Sequence, residues 1–295
     1  MTTMSTQRSA TGADPAALAE RWGLQPVGTR PPLKAYVKEA WGRRHFATEL
    51  AKSSVIASTA ENRLGTLWEL LNPLLLTIVY YLAFGLLLGT HRDSQNFLGF
   101  LVVGMLSWWF LNRSIRRGAG SVTANRALVR SLHFPRIILP VSVVLRQTIA
   151  FFSSLPVIIV VVLLTGEGVR WQWVFAPPCL ALMGLFCSGA AMLAAWATSR
   201  WRDIGDLLPF VLRMWMYFTG IFFNVHVRYA HAPHFIQVLA YYNPGAVYLQ
   251  IMRYAFLGSI PISNLVLFWA VVWAAVFLAI GTVVFWRAEE RYGYA

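Results

Sequence analysis

The chain has 295 residues, of which 57% are hydrophobic and 13% charged, with 25 Lys and Arg against 12 Asp and Glu and a formal net charge of +13. That leaves too little polar surface for a soluble globule of this length. The basic residues are spread over loops rather than gathered into a groove, which points to anionic lipid and membrane topology and away from nucleic acid.

In chain order, Met1 to Pro32 mixes small and polar residues with scattered charge and lacks an apolar core of signal-peptide length, so residues 1–32 read as a flexible cytoplasmic tail. From Leu33 to Ser58, Tyr36, Val37, Trp41, Phe46, Leu50 and Val55 recur among Lys34, Lys38, Arg43, Arg44 and Lys52. An apolar stripe opposite a basic face predicts an amphipathic helix on the inner leaflet; packing on another protein surface is the alternative.

Residues 59–295 form the membrane domain, with six apolar stretches: Leu70–Gly89, Phe97–Leu111, Ile138–Thr165, Val174–Ser199, Leu207–Val227 and Leu265–Trp286. A helix of about 20 residues crosses the hydrocarbon layer, so an all-α protein with six transmembrane helices is expected. Pro73 falls near the first turn of the first span, where a missing amide costs little. Nineteen of the 25 basic residues fall in segments that alternation places on one side, against four on the other and two, Arg146 and Arg213, within spans. The positive-inside rule then puts both termini in the cytoplasm. Cys179 and Cys187 lie in the fourth span, where they pack as small apolar residues with no disulfide framework implied.

Two cytoplasmic segments exceed what a connection requires. Arg113 to Arg136 carries six arginines and no acid, with room for a short helix, and Arg200 to Asp206 carries both signs. Together they predict two patches on one face. On the outer side, His226 to Asn264 contains two apolar segments, each too short to span, separated by Asn243-Pro244-Gly245. This fits a re-entrant helical hairpin between the fifth and sixth spans, or a surface loop with two interfacial helices.

The search for catalysis is nearly empty. There is no phosphate loop ending in Gly-Lys-Ser/Thr, and only Lys34, Lys38 and Lys52 are lysines. His226, His231 and His234 lack accompanying acids or cysteines, so no metal site is expected. No acid lies within a span to relay protons or sodium, and the pair Asp203 and Asp206 sits beside Arg200 and Arg202, which argues against an ion-coupled carrier and against a membrane glycosyltransferase. Tyr80, Tyr81 and Phe84 in the first span, with Trp215, Tyr217, Phe218, Phe222 and Phe223 in the fifth, sit deeper than interfacial belts. They are either core or the stacking walls of a sugar pathway.

Residues 61–73, Glu-Asn-Arg-Leu-Gly-Thr-Leu-Trp-Glu-Leu-Leu-Asn-Pro, with Phe134-Pro135-Arg136, Arg202-Asp203, Tyr242-Asn243-Pro244 and Arg253 in that order, resemble the membrane permease subunits of polysaccharide-exporting ABC transporters. That class contains the O-antigen, teichoic acid and mycobacterial galactan permeases, and the resemblance runs from Lys34 to the C-terminus. Asn62 stands where the family has tyrosine. The resemblance implies a homodimeric, non-enzymatic transport subunit of the bacterial cytoplasmic membrane, served by two cytoplasmic ABC ATPase subunits that hold ATP and Mg, with no cofactor in this chain. Its cargo would be a polyprenyl-diphosphate-linked glycan exported during cell-envelope biogenesis. On this reading Arg43, Arg44 and Arg63 attract the lipid diphosphate through guanidinium–phosphate pairing. Arg126, Arg130, Arg136, Trp201, Arg202 and Asp203 couple to the ATPase. Tyr80, Tyr81, Phe84, Trp215, Tyr217, Phe218 and Phe222 line the substrate pathway, and Tyr242, Asn243, Pro244 and Arg253 form an outer gate. A permease for small lipophilic compounds is the alternative.

Overall fold

The structure, a computed structural model, describes residues 31–60, 65–87, 96–132, 134–229, 231–258, 260 and 262–289. Regular structure among the described residues is helical throughout. The tail expectation for residues 1–30 and the assignment made for Arg63 lie outside the described residues.

Among the described residues, four helices are long and apolar enough to cross a membrane: α4 (Phe97–Ala119), α7 (Ile138–Leu164), α8 (Ala176–Arg200, preceded by a 3-10 turn at Trp171–Phe175) and α13 (Asn264–Arg287). α4 and α8 are largely buried, whereas α7 and α13 bury few of their residues and are the more apolar pair. Helices whose outer face meets lipid must be apolar all round, while central helices are free to carry small and polar residues toward each other. Gly189 on α8 and Gly281 on α13 show the central packing: a Cβ at either would strike backbone of the facing helix. Only glycine lets these two axes approach so closely.

The helix ends follow from local sequence. Asn96 caps α4 by accepting the Gly99 amide at 2.9 Å, and Ser263 caps α13 by accepting the Val266 amide at 3.3 Å. Arg116 and Arg117 occupy the last turn of α4 and Arg287 that of α13, where cations oppose the exposed carbonyls. α4 runs eight residues beyond the expected Leu111, because Arg113 folds its guanidinium over Trp109 at 4.6 Å from the ring. Arg113, Arg116 and Arg117, placed beyond the span by the sequence, therefore belong to its helix.

The remaining segments depart further from the sequence reading. The amphipathic segment is two helices, α1 (Leu33–Gly42) and α2 (Arg44–Ala60), divided after Gly42. Tyr36, assigned to a lipid-facing stripe, is 1% exposed inside the protein. α3 (Gly65–Tyr80) continues into a π-helical stretch, Tyr81–Leu87, so Pro73 lies at least two turns inside the helix and not in its first turn. The Pro73 carbonyl takes a hydrogen bond from the Thr77 hydroxyl at 2.6 Å. α5 (Ser121–Ala124) and α6 (Arg126–Ser131) follow α4.

α9 (Asp203–Phe218), opened by Asp203 and Asp206 in its first turn, stops at Phe218 where the fifth stretch was expected to run on to Val227. Gly220 breaks it with φ +70, and α10 (Val225–Arg228) follows. Two helices, α11 (His234–Tyr242) and α12 (Pro244–Phe256), precede α13. α12 is buried almost along its whole length, and its Tyr248 donates to the Ala270 carbonyl at 2.8 Å.

Two apolar cores stack along the bundle. The larger joins α4, α8 and α12 with parts of α7, α9 and α13. The smaller lies at the arginine-rich end, where Tyr36, Val122, Val129, Ile137, Leu139, Met192, Ala195, Phe285 and Ala288 meet. At the opposite end the Asn96 amide donates to the Thr165 hydroxyl at 2.8 Å, joining the start of α4 to the finish of α7.

Candidate functional site

The arginine-rich end carries a cavity of about 300 Å³ lined by Val122, Thr123, Arg126, Val129, Arg130, Thr198, Ser199 and Arg202. It forms because α6 turns its apolar residue Val129 into the small core and leaves Arg126 and Arg130 at the rim, while Arg202 arrives from the link between α8 and α9. The two basic segments, about 70 residues apart in sequence, thus border one concave surface. Its lining holds three arginines, three hydroxyls and no acid. The Thr198 hydroxyl is buried without a hydrogen-bond partner. Such a surface suits an acidic segment or an oxyanion, since guanidinium donors pair bidentately with carboxylate or phosphate.

The rest of the coupling set divides. Trp201 is half-exposed beside the cavity residues, edge-on to Trp196 with Arg200 against its ring. Asp203 sits in the first turn of α9, where a carboxylate favours the helix dipole. Arg136 is drawn elsewhere: its amide donates to Glu289 Oε1 at 3.0 Å and its guanidinium to the Glu289 carbonyl at 2.5 Å. Burial pushes the Glu289 carboxyl above the ordinary carboxylate range, against the pull of hydrogen bonds from Arg136 and Tyr36. The sequence reading overlooked Glu289; an acid just past a span on the basic side is its one signal.

Of the residues assigned to a lipid diphosphate, Arg43 forms an ion pair with Glu39 at 2.9 Å and Arg44 lies against the Trp41 ring at 5.9 Å. Both flank the break between α1 and α2, and Glu39 supplies an acid that the sequence reading had not paired.

The pathway aromatics separate into a cluster and outliers. Phe84 stacks on Phe222 at 4.5 Å, Tyr80 meets Phe222 edge-on at 4.7 Å, and Tyr217 approaches the same ring at 5.7 Å. Phe222 itself is buried at the centre. Tyr81 turns toward Phe97, and Trp215 packs edge-on against Trp108 while donating to Asn243 Oδ1 at 3.3 Å. Phe218 is exposed. Arg213 precedes Tyr217 by one turn of α9.

At the opposite end, Asn243 caps α12 by accepting the Ala246 amide at 3.0 Å, and Pro244 occupies the first turn where its missing amide is harmless. The Tyr242 carbonyl accepts the Trp273 indole at 2.8 Å. Arg253 is 3% exposed and donates to three carbonyls: Phe100 at 3.2 Å, Gly220 at 2.9 Å and Ile221 at 3.0 Å. Its guanidinium also lies over the Phe100 ring at 3.4 Å, in space that Gly104 leaves free. The Gly220 and Ile221 carbonyls are those stranded where α9 breaks, so Arg253 supplies the donors that helix termination removes.

Helices long and apolar enough to cross a membrane, an arginine-lined cavity at one end and the carbonyl-bound Arg253 at the other are the features of a multi-pass membrane protein. Residues 48–257 match the ABC-2 type transporter membrane family, and the chain belongs to that family. It is 28% identical over 187 residues to the O-antigen export system permease protein RfbA of Myxococcus xanthus, covering 63% of this chain and 71% of that protein. To a Klebsiella pneumoniae protein of the same name it is 26% identical over 197 residues, 66% of this chain and 74% of the relative. It is also 22% identical over 224 residues to the capsule polysaccharide export inner-membrane protein CtrC of Neisseria meningitidis serogroup B, 74% and 81% of the two chains.

Proposed function

We propose that this chain is the permease half of an ATP-driven exporter that moves a polyprenyl-diphosphate-linked polysaccharide from the cytoplasm to the outer face of the bacterial inner membrane. The observation that carries the reading is the convergence of Arg126, Arg130 and Arg202 on one cavity, in a chain whose relatives are named for O-antigen and capsule export. With no phosphate loop in its sequence, the chain would draw its energy from separate ATPase subunits carrying ATP and Mg, docked at that cavity. Positive-inside asymmetry then makes the basic end, and both termini, cytoplasmic.

In this reading α3 with its π-helical continuation and α9 with the broken segment to α10 complete six crossings, and α11 and α12 re-enter from the outer side. A second copy closes the wall around the glycan. The Tyr80, Phe84, Tyr217 and Phe222 cluster offers ring faces to sugar C–H groups, and Arg43 and Arg44 attract the lipid diphosphate. Arg253 and the Asn243 cap hold the outer hairpin that gates the exit.

Conditional depletion, followed by mass spectrometry of polyprenyl-diphosphate lipids, tests the reading. Accumulation of a long glycan on its carrier is the expected result and identifies the polymer. Normal surface polysaccharide with no accumulation would instead favour a small-lipophile exporter.

A further inference from the structure

The basic end contains a buried polar cluster that neither docking nor a glycan pathway uses. Tyr36 on α1 donates its hydroxyl to Glu289 Oε2 at 2.7 Å, and the same hydroxyl accepts the Ile137 amide at 3.1 Å. Glu289, just past α13, receives the Arg136 amide at 3.0 Å on its other oxygen. The Trp286 indole donates to the Pro31 carbonyl at 2.8 Å, tying the start of α1 to α13 a second time. Around these bonds lies the smaller core, to which α6 contributes Val129. Phe46 of α2 meets Phe134 edge-on at 5.3 Å.

One carboxylate therefore joins three distant parts of the chain: the interfacial helix, the segment leading from α6 into α7, and the end of the last span. Apolar packing alone permits such elements to slide, because dispersion contacts have little direction. Hydrogen bonds to a buried carboxylate do not, since a shift would strand a charge away from water. α1 meanwhile exposes Val37 and Trp41 on its other side. Tyr36 and Ala40 face the smaller core, while Val37 and Trp41 face outward.

We infer that Tyr36 and Glu289 are positioning residues that bind α1 and the α6–α7 segment into one rigid block, so that displacement of α6 by the ATPase carries the interfacial helix with it. The inference rests on the docking reading above only for the source of the motion. It also moves Arg136 from docking to this block.

The test places spin labels at W41C and L132C, both exposed positions, with the buried Cys179 and Cys187 left in place. The separation is measured in the isolated permease and in its ATPase complex, nucleotide-free and ATP-trapped. A narrow separation unchanged across states is expected for the parent chain, and a clearly broader one for E289A and Y36F. Export should fall about tenfold in both variants, while ATPase co-purification and basal hydrolysis stay within about twofold. Y36F keeps the packed ring and removes one hydroxyl, so it answers where E289A folds poorly. A separation that changes with nucleotide in the parent chain, or stays narrow in both variants with export intact, would overturn the inference. Failure of any ATPase to bind the parent chain would count against the docking reading instead, since the isolated permease still reports the block.

Discussion

Arg253 at one end of the molecule and Arg126 with Arg202 at the other show how burial decides what an arginine does. Arg253 is enclosed and matched to three carbonyls, so its donors are committed to closing the break after α9. Arg126 and Arg202 are exposed at the rim of an acid-free cavity, where the proposed docking would engage them. A charge that completes the fold and a charge that meets a partner have opposite mutational signatures: loss of the first lowers stability, loss of the second lowers association.

Replacing Arg253 by leucine is the largest test of that contrast. It removes the Arg253 donors from the Gly220 and Ile221 carbonyls outside α9 and a second donor from the Phe100 carbonyl, and should cost on the order of 3 kcal/mol, read as lost recovery and a lower Tm in detergent. G104A probes the same place more gently, since the new Cβ strikes the guanidinium; about 1–3 kcal/mol is expected. The double variant R126E/R202E should change thermal stability by no more than about 0.5 kcal/mol while abolishing ATPase co-purification. If it instead lowered stability as R253L does, the two ends would not differ in kind. The smallest effect concerns pH. Because burial raises the Glu289 pKa, its folded-state benefit is full below the ordinary carboxylate pKa near 4.5 and is lost as pH rises through the folded value. Thermal melts across that window should therefore fall less steeply with pH in E289Q than in the parent chain.

Hydropathy located the long spans closely: the expected Ile138–Thr165 and Leu265–Trp286 are helices at Ile138–Leu164 and Asn264–Arg287. Those helices bury few residues, so their boundaries are set by lipid, which composition records. α4 was read too short because Arg113, Arg116 and Arg117 look like loop residues until Trp109 and the helix dipole are taken into account. The end of α9 was missed because Thr219 and Gly220 interrupt an apolar run without polar punctuation, and the donor that satisfies the break lies 33 residues later at Arg253.

The candidate site was legible as residue types but not as an arrangement. The arginines of the two basic segments were picked out by charge, and their convergence depends on the α8–α9 link meeting α6, which no local pattern encodes. Tyr36 was assigned by periodicity to a lipid-facing stripe; a buried acid 253 residues away claims it instead. Among the aromatics, spacing found the Tyr80, Phe84, Tyr217 and Phe222 cluster but did not separate it from Tyr81 and Trp215, whose partners lie on α4.

The most direct measurement is reconstitution of the purified permease with its ATPase in proteoliposomes loaded with lipid-linked glycan, followed by detection of glycan reaching the opposite face. Export that requires ATP and is lost in R126E/R202E, although that variant inserts normally, is the predicted result. ATP hydrolysis that moves small lipophilic dyes and leaves the glycan in place would contradict the account.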